Sequence, residues 1–210
     1  MSKNRAVRHM IATGLTTFVL SVILSLVSKT ISSRLTFGPS LLLLILIVFI
    51  GVIFDIIGVA ATAANEAPFH AMAADRVHGA KQAVYLVRNA DKVSTFSNDI
   101  VGDVAGTLSG ALAATIVFRL IIERPGLNES ILSTLVISGA AALTVGGKAL
   151  GKSYAINRAN DIVYRVAQIL YGCSRIPLLG TLFNFDNKVK EKARRQKVSK
   201  EHTKERGPRR

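Results

Sequence analysis

The sequence predicts an all-α fold: an integral membrane bundle of four spans, with a helical hairpin between spans two and three. Three observations carry that prediction. Half of the 210 residues are hydrophobic although the formal net charge is +14, so apolar and basic residues must be segregated along the chain. Several apolar runs precede residue 180, and each approaches the roughly 20 mostly apolar residues that a spanning helix needs. Finally, the basic residues collect at the end: Thr181 to Arg210 holds eleven Lys/Arg against four Asp/Glu. Soluble cores do not need apolar runs of this length. The one cysteine, Cys173, has no second cysteine for an internal disulfide or a thiolate metal site, which excludes a disulfide-stapled secreted domain. Tryptophan is absent, so Tyr, Phe and basic side chains are left to form the interfacial belt.

The first element is MIATGLTTFVLSVILSLV, Met10 to Val27, preceded by Lys3, Arg5 and Arg8. A basic start before a short apolar core resembles a secretion signal. No small-x-small cleavage pattern precedes Lys29 and further spans follow, so this segment is expected to stay as a span. Residues 1–37 are thus read as an N-terminal extra span. The second span runs over about 40–64. Its unusual residue is Asp55 in VIFDIIGVAA, a carboxylate placed directly after the thirteen apolar or Gly residues Leu42 to Phe54.

Residues 66–93 are mixed in character. Pro68 suits a first helical turn, and Gly79 divides the region into a hairpin of two short helices. In the second, Ala80, Ala83, Val84, Val87 and Ala90 recur at helical spacing. Spans three (about 100–122) and four (about 131–150) follow, joined by the turn-like ERPGLNES. Residues 153–172 predict a surface helix, with Ile156, Ala159, Val163, Val166 and Leu170 on one face. The remainder, 173–210, reads as a basic cytoplasmic tail, charged and disordered from about Asn187. Lys and Arg favour the N-terminus, the 65–99 region and the tail, so the positive-inside rule places both termini in the cytoplasm of a multi-pass cell-membrane protein.

No catalytic motif stands out, and the chain is not expected to be an enzyme. The four histidines lack metal-ligand spacing, and Gly146-Gly147-Lys148 lacks the upstream glycine of a phosphate loop. Two patterns are stronger. Gly102, Gly106, Gly110 and Ala114 are spaced four apart, a stripe of small residues suited to close helix packing within the bundle or across a dimer. Asp55, Asp99 and Asp103 place acid inside or at the rim of spans. A mid-span Asp costs about 2.5–3.5 kcal/mol on translocon scales, so such groups face a partner, water or an ion. Asp99, Asp103 and Thr107 share a helical face; if Asp55 meets that face, the carboxylates offer oxygen ligands to a hard divalent cation such as Mg²⁺. The competing reading has Asp99 and Asp103 solvated at the cytoplasmic rim and Asp55 bonded to a hydroxyl or a basic group.

The order of span, Arg- and Ala-containing hairpin, span, span and amphipathic helix resembles the transmembrane module of the cyclin-M and CorB/CorC magnesium transporters. The residues that carry the likeness are FDIIGVAATAANEAPFHAMAADRVHGAKQAVYLVRNADKVSTFSNDIVGD and Lys148-Ala149-Leu150-Gly151-Lys152, which is similar to the family's PKTLAK. The resemblance covers about residues 38–172 and implies a homodimer with an ion site near the cytoplasmic side. The positions matching that site are Asp55 (family Ser), Gly58 (family Glu), Gly102 and Asp103 (family Gly-Asn), and Thr144 (a second family Glu). Both family glutamates are thus absent, while Asp55 and Asp103 supply carboxylates at neighbouring positions. The family's nucleotide-sensing CBS domains have no counterpart in these residues. The expected function is binding or transport of a divalent cation, magnesium above all. The alternative is a non-transporting adaptor that keeps the packing and uses the basic tail to bind anionic lipid headgroups or an acidic partner. Nucleic acid ranks below both, since a basic tail alone is only an electrostatic footprint.

Overall fold

A computed structural model describes residues 3–32, 36–126 and 128–174. The element order is α1 (Lys3–Ser32), α2 (Phe37–Ala63), α3 (Glu66–Ala74), α4 (Ala80–Arg88), α5 (Ala90–Ser94), a π-helical segment (Thr95–Gly102), α6 (Asp103–Glu123), α7 (Glu129–Asn157) and α8 (Ala159–Ser174). Four stretches are long and apolar enough to cross a membrane: Met10–Thr30, Phe37–Ala63, Ala90–Glu123 and Glu129–Asn157. The all-α bundle of four spans, with a short-helix hairpin between the second and third, is therefore what the chain forms. The basic tail beyond Ser174 lies outside the described residues.

The chain divides into two compact units. The first comprises residues 1–66 and 86–163. In it α2 is central, packing against α6, α7, the π-helical segment and α5, while α1 packs on α6. The buried residues of α2 include Ser40, Leu44, Val48, Gly51, Asp55, Gly58 and Ala61, spaced three or four apart, which draws one stripe along a helix. On α6 the buried set is Val104, Ala105, Leu108, Ser109, Leu112, Ala113, Ile116 and Val117. Leu44 and Val48 meet Leu112, Ala113, Ile116 and Ala140 in an apolar cluster. The opposite faces are apolar too: Leu42, Ile45, Leu46 and Phe49 on α2 and Leu135, Val145 and Leu150 on α7 are exposed. In water such a surface would be an aggregation hazard; in a bilayer it is the solvated face.

Three boundaries differ from the sequence reading. The third membrane helix starts at Ala90 rather than about Ile100, because no Gly or Pro interrupts the chain between Ala90 and Gly102 and α5 feeds straight into the π-helical turns. The fourth continues to Asn157, and the following amphipathic helix begins at Ala159. Asn128 caps α7 by accepting the Ile131 N–H at 3.2 Å, satisfying one of the otherwise unpaired first-turn donors.

The second unit comprises, of the described residues, 67–85 and 164–174. Helix α3 ends in a double turn: Val77 N–H donates to Met72 O and Arg76 N–H to Ala73 O, with Arg76 at φ +59°. This is the Schellman pattern with Arg in the left-handed position usually taken by Gly. Gly79, at φ +85°, does need to be glycine, since a Cβ there would lie 3.3 Å from the Gln168 backbone. The Tyr164 hydroxyl donates to His78 O at 3.4 Å, and the His78 and Tyr171 rings meet at 5.4 Å. His78 thus has a packing role in the hairpin.

Candidate functional site

The site lies along the seam between α2 and the π-helical turns, two segments that run antiparallel. Glycines let the backbones approach. A Cβ on Gly51 would sit 2.8 Å from Ala105 Cβ and 3.7 Å from Gly102 O, and one on Gly58 would overlap the Asn98 amide, 2.6 Å from its Cγ. Gly51 therefore faces Gly102 and Gly58 faces Asn98. Asp55 is four residues after Gly51 and three before Gly58, so it projects from the same helical face between those two contacts. Its side chain is buried at 4% exposure.

Two oxygens on this seam have no hydrogen-bond partner: Asp55 Oδ2 and Asn98 Oδ1. Asn98 is held from behind, its Nδ2 donating to Ser94 Oγ at 3.3 Å and its backbone oxygen accepting the Asp103 N–H. That last bond spans five residues, the π-helical step. One π-turn widens the helix and turns Asn98 toward α2, a geometry often found at functional sites. Buried polar atoms are almost always paired, so two unpaired acceptors on one seam mark a place built for a positive or donating group.

Not every carboxylate expected at the site is there. Asp55 is buried on the seam, whereas Asp99 and Asp103 are exposed. Asp103 accepts from Lys148 Nζ at 3.1 Å, with the Asp103 side chain 68% exposed and that of Lys148 20%. The basic partner that sequence spacing did not reveal comes from α7, and it neutralises Asp103. Asp99, Asp103 and Thr107 do share a face, but all three are exposed on it. Among the described residues, no group of three or more His, Cys, Asp or Glu is placed to hold a metal ion. The three-carboxylate cluster is not formed, because the π-turn aims Asn98, not Asp99 or Asp103, at α2.

Of the small-residue stripe, Gly102 is buried, and a Cβ there would lie 3.2 Å from Ser97 O, 3.6 Å from Lys148 Nζ and 3.8 Å from Gly51 O. A Cβ on Gly106 would meet Thr144 Cγ2 at 3.7 Å, while Gly110 has open space beside it and Ala114 is exposed. Only its first half packs inside the bundle. Thr144 donates to Ala140 O at 2.8 Å and lies 3.4 Å from Ser109 Oγ. Gly58 is buried with the Asn98 amide against it.

Reading spacing alone missed two features. Asn98 sits in a polar stretch with no apolar periodicity to mark its inward face. The second is Gly147-x3-Gly151-x3-Ala155 on α7, where a Cβ on Gly147 would meet Val52 at 2.9 Å and one on Gly151 would meet Ile56 at 2.8 Å. That spacing of four was visible in the sequence. At the far end of α2, Ser40, 1% exposed and with its Oγ unpaired, lines a small pocket with Phe37, Ile116, Arg119, Leu120 and Glu123.

The comparison with known families decides what kind of bundle this is. The family model of the cyclin M transmembrane N-terminal domain matches residues 41–201. The chain belongs to the cyclin M transmembrane family. No curated protein and no solved structure matches it significantly. The cyclin M match takes in α2, the hairpin, the π-helical segment and α6 to α8, so every residue of the Asp55–Asn98 seam falls within the family domain and α1 falls outside it. Membership makes this a membrane protein of a family associated with divalent-cation transport rather than catalysis.

Proposed function

We propose that this cyclin M domain binds and translocates a divalent cation, magnesium first, through the seam between α2 and the π-helical turns. Asp55 supplies the charged ligand and Asn98 the amide oxygen. The observation that carries the reading is the pair of buried, unpartnered oxygens Asp55 Oδ2 and Asn98 Oδ1. The donor set suits the cargo: hard divalent cations take carboxylate and amide oxygens, and Mg²⁺ keeps several waters, so two protein ligands suffice for a loosely held ion. In this reading the exposed Asp99 is not a ligand, and without the ion Asp103 is engaged by Lys148. The homodimer, the cytoplasmic placement of both termini in the cell membrane and the binding of anionic lipid headgroups by the basic tail are further parts of the proposal, supported by the family, by the Lys/Arg distribution and by tail composition.

The test is Mg²⁺ uptake into proteoliposomes by the full chain, alongside Asp55→Asn and Asn98→Leu. Uptake should fall at least tenfold in Asp55→Asn and several-fold in Asn98→Leu. Equal uptake in all three would remove the seam as the cation path and leave the adaptor reading standing.

A further inference from the structure

Lys148 is the least expected group near the seam. Its Nζ touches Asp103 at 3.1 Å with the side chain only 20% exposed. It also lies beside Gly102, 3.6 Å from where a Cβ of that residue would stand. Gly51 is one turn of α2 from Asp55, and Gly102 is about one π-helical turn from Asn98, so the ammonium sits roughly one turn along the same seam from the two unpaired oxygens. The ammonium, held by a carboxylate beside Gly102, stands where a second positive charge of a bound cation would be compensated. The charge count leads the same way. With Asp103 neutralised by Lys148, the seam offers one uncompensated carboxylate, Asp55, and a desolvated divalent ion is left half compensated.

We propose that Lys148 is a tethered competitor for the cation: its ammonium occupies the Asp103 side of the seam and lowers divalent affinity, and a divalent ion that binds displaces it. The inference rests on the seam being the cation site. A purely structural ion pair, which only neutralises Asp103 in the membrane, predicts no gain in affinity when the lysine is removed. The competitor predicts a gain, because a like charge is withdrawn from a low-dielectric site and Asp103 is freed at the same time.

Mg²⁺ binding to the full chain in nanodiscs, measured by calorimetry, separates these. Lys148→Met should bind at least tenfold more tightly than wild type, Lys148→Arg should stay within about threefold of it, and Asp55→Asn should lose binding. A second measurement needs no variant: amine-reactive labelling of wild-type Lys148, read by peptide mass spectrometry, should rise several-fold when saturating Mg²⁺ displaces the ammonium from Asp103. Binding that Asp55→Asn leaves unchanged overturns the seam as the site, and the competitor with it. Binding that Asp55→Asn abolishes but Lys148→Met does not raise overturns the competitor alone. Labelling unaffected by Mg²⁺ also overturns it, even if Lys148→Met does not fold.

Discussion

Gly58 and Ser40 show how single atoms on α2 are constrained in opposite ways. A methyl at Gly58 would collide with the Asn98 amide, so Gly58→Ala should push Asn98 off the seam and cut Mg²⁺ affinity about tenfold while leaving membrane insertion intact; calorimetry on the variant checks it. Ser40 carries a buried hydroxyl with no partner, and an unmet buried hydroxyl costs about 1–3 kcal/mol. Ser40→Ala should therefore raise the thermal unfolding midpoint or leave it unchanged, and a clear drop would mean that the hydroxyl is satisfied in the membrane. At this scale the sequence was legible only in part. Asp55 announced itself, because a carboxylate in an apolar run has to have a reason. Asn98 did not, because an amide among Thr95, Ser97 and Asp99 looks like any polar residue near a helix start. Its inward aim comes from the π-turn, which side-chain periodicity does not encode.

Among the elements, α7 and the π-helical segment behave differently from what spacing implied. The stripe Gly102, Gly106, Gly110, Ala114 follows α-helical spacing, yet the buried face of α6 runs through Ala105, Leu108, Ser109 and Leu112, so the stripe leaves the core after Gly106. A second close approach is made by Gly147 and Gly151 of α7 on Val52 and Ile56. Gly151→Leu should force α7 away from α2 and cost about 1–3 kcal/mol, the usual range for overpacking, read as a lower unfolding midpoint in detergent. Gly110→Leu, into open space, should leave that midpoint within a degree or two. Deleting one residue from the π-helical segment, Phe96 for example, should restore α-helical pitch, keep the helical circular dichroism and abolish Mg²⁺ binding, since Asn98 would turn from α2. Retained binding would mean that the π-turn is not what presents the amide.

For the molecule as a whole, the fold class was readable because bilayer thickness imposes lengths that composition reveals directly. The four spans and the hairpin followed from run length and from Gly79, whose positive φ marks a turn that the residue type had already suggested. Boundaries were less legible, since a helix does not end where its apolar run ends: α5 and the π-helical turns carry the third span's helix back to Ala90, and α7 runs on to Asn157. Charge segregation leads to one prediction at this scale. Removing residues 187–210 should leave the protein carbonate-resistant in membranes yet abolish its capture of phosphatidylserine vesicles in flotation, with full retention of capture counting against the tail.

The apolar cluster of Leu44, Val48, Leu112, Ala113, Ile116 and Ala140 lies along α2 between Ser40 and Asp55, fifteen positions apart and so about 22 Å of helix. Around Leu44 and Val48 the α2–α6 seam is filled by packed hydrocarbon, a dielectric barrier to a dehydrated ion. If cations pass by Asp55 as proposed, an ion bound for the other leaflet has to wait for the helices to part, and no steady file of ions could stream between them. Transport by this bundle would be that of a carrier, one conformational cycle per ion, and a planar bilayer doped with the protein should stay electrically quiet, without unitary currents, while vesicles slowly fill.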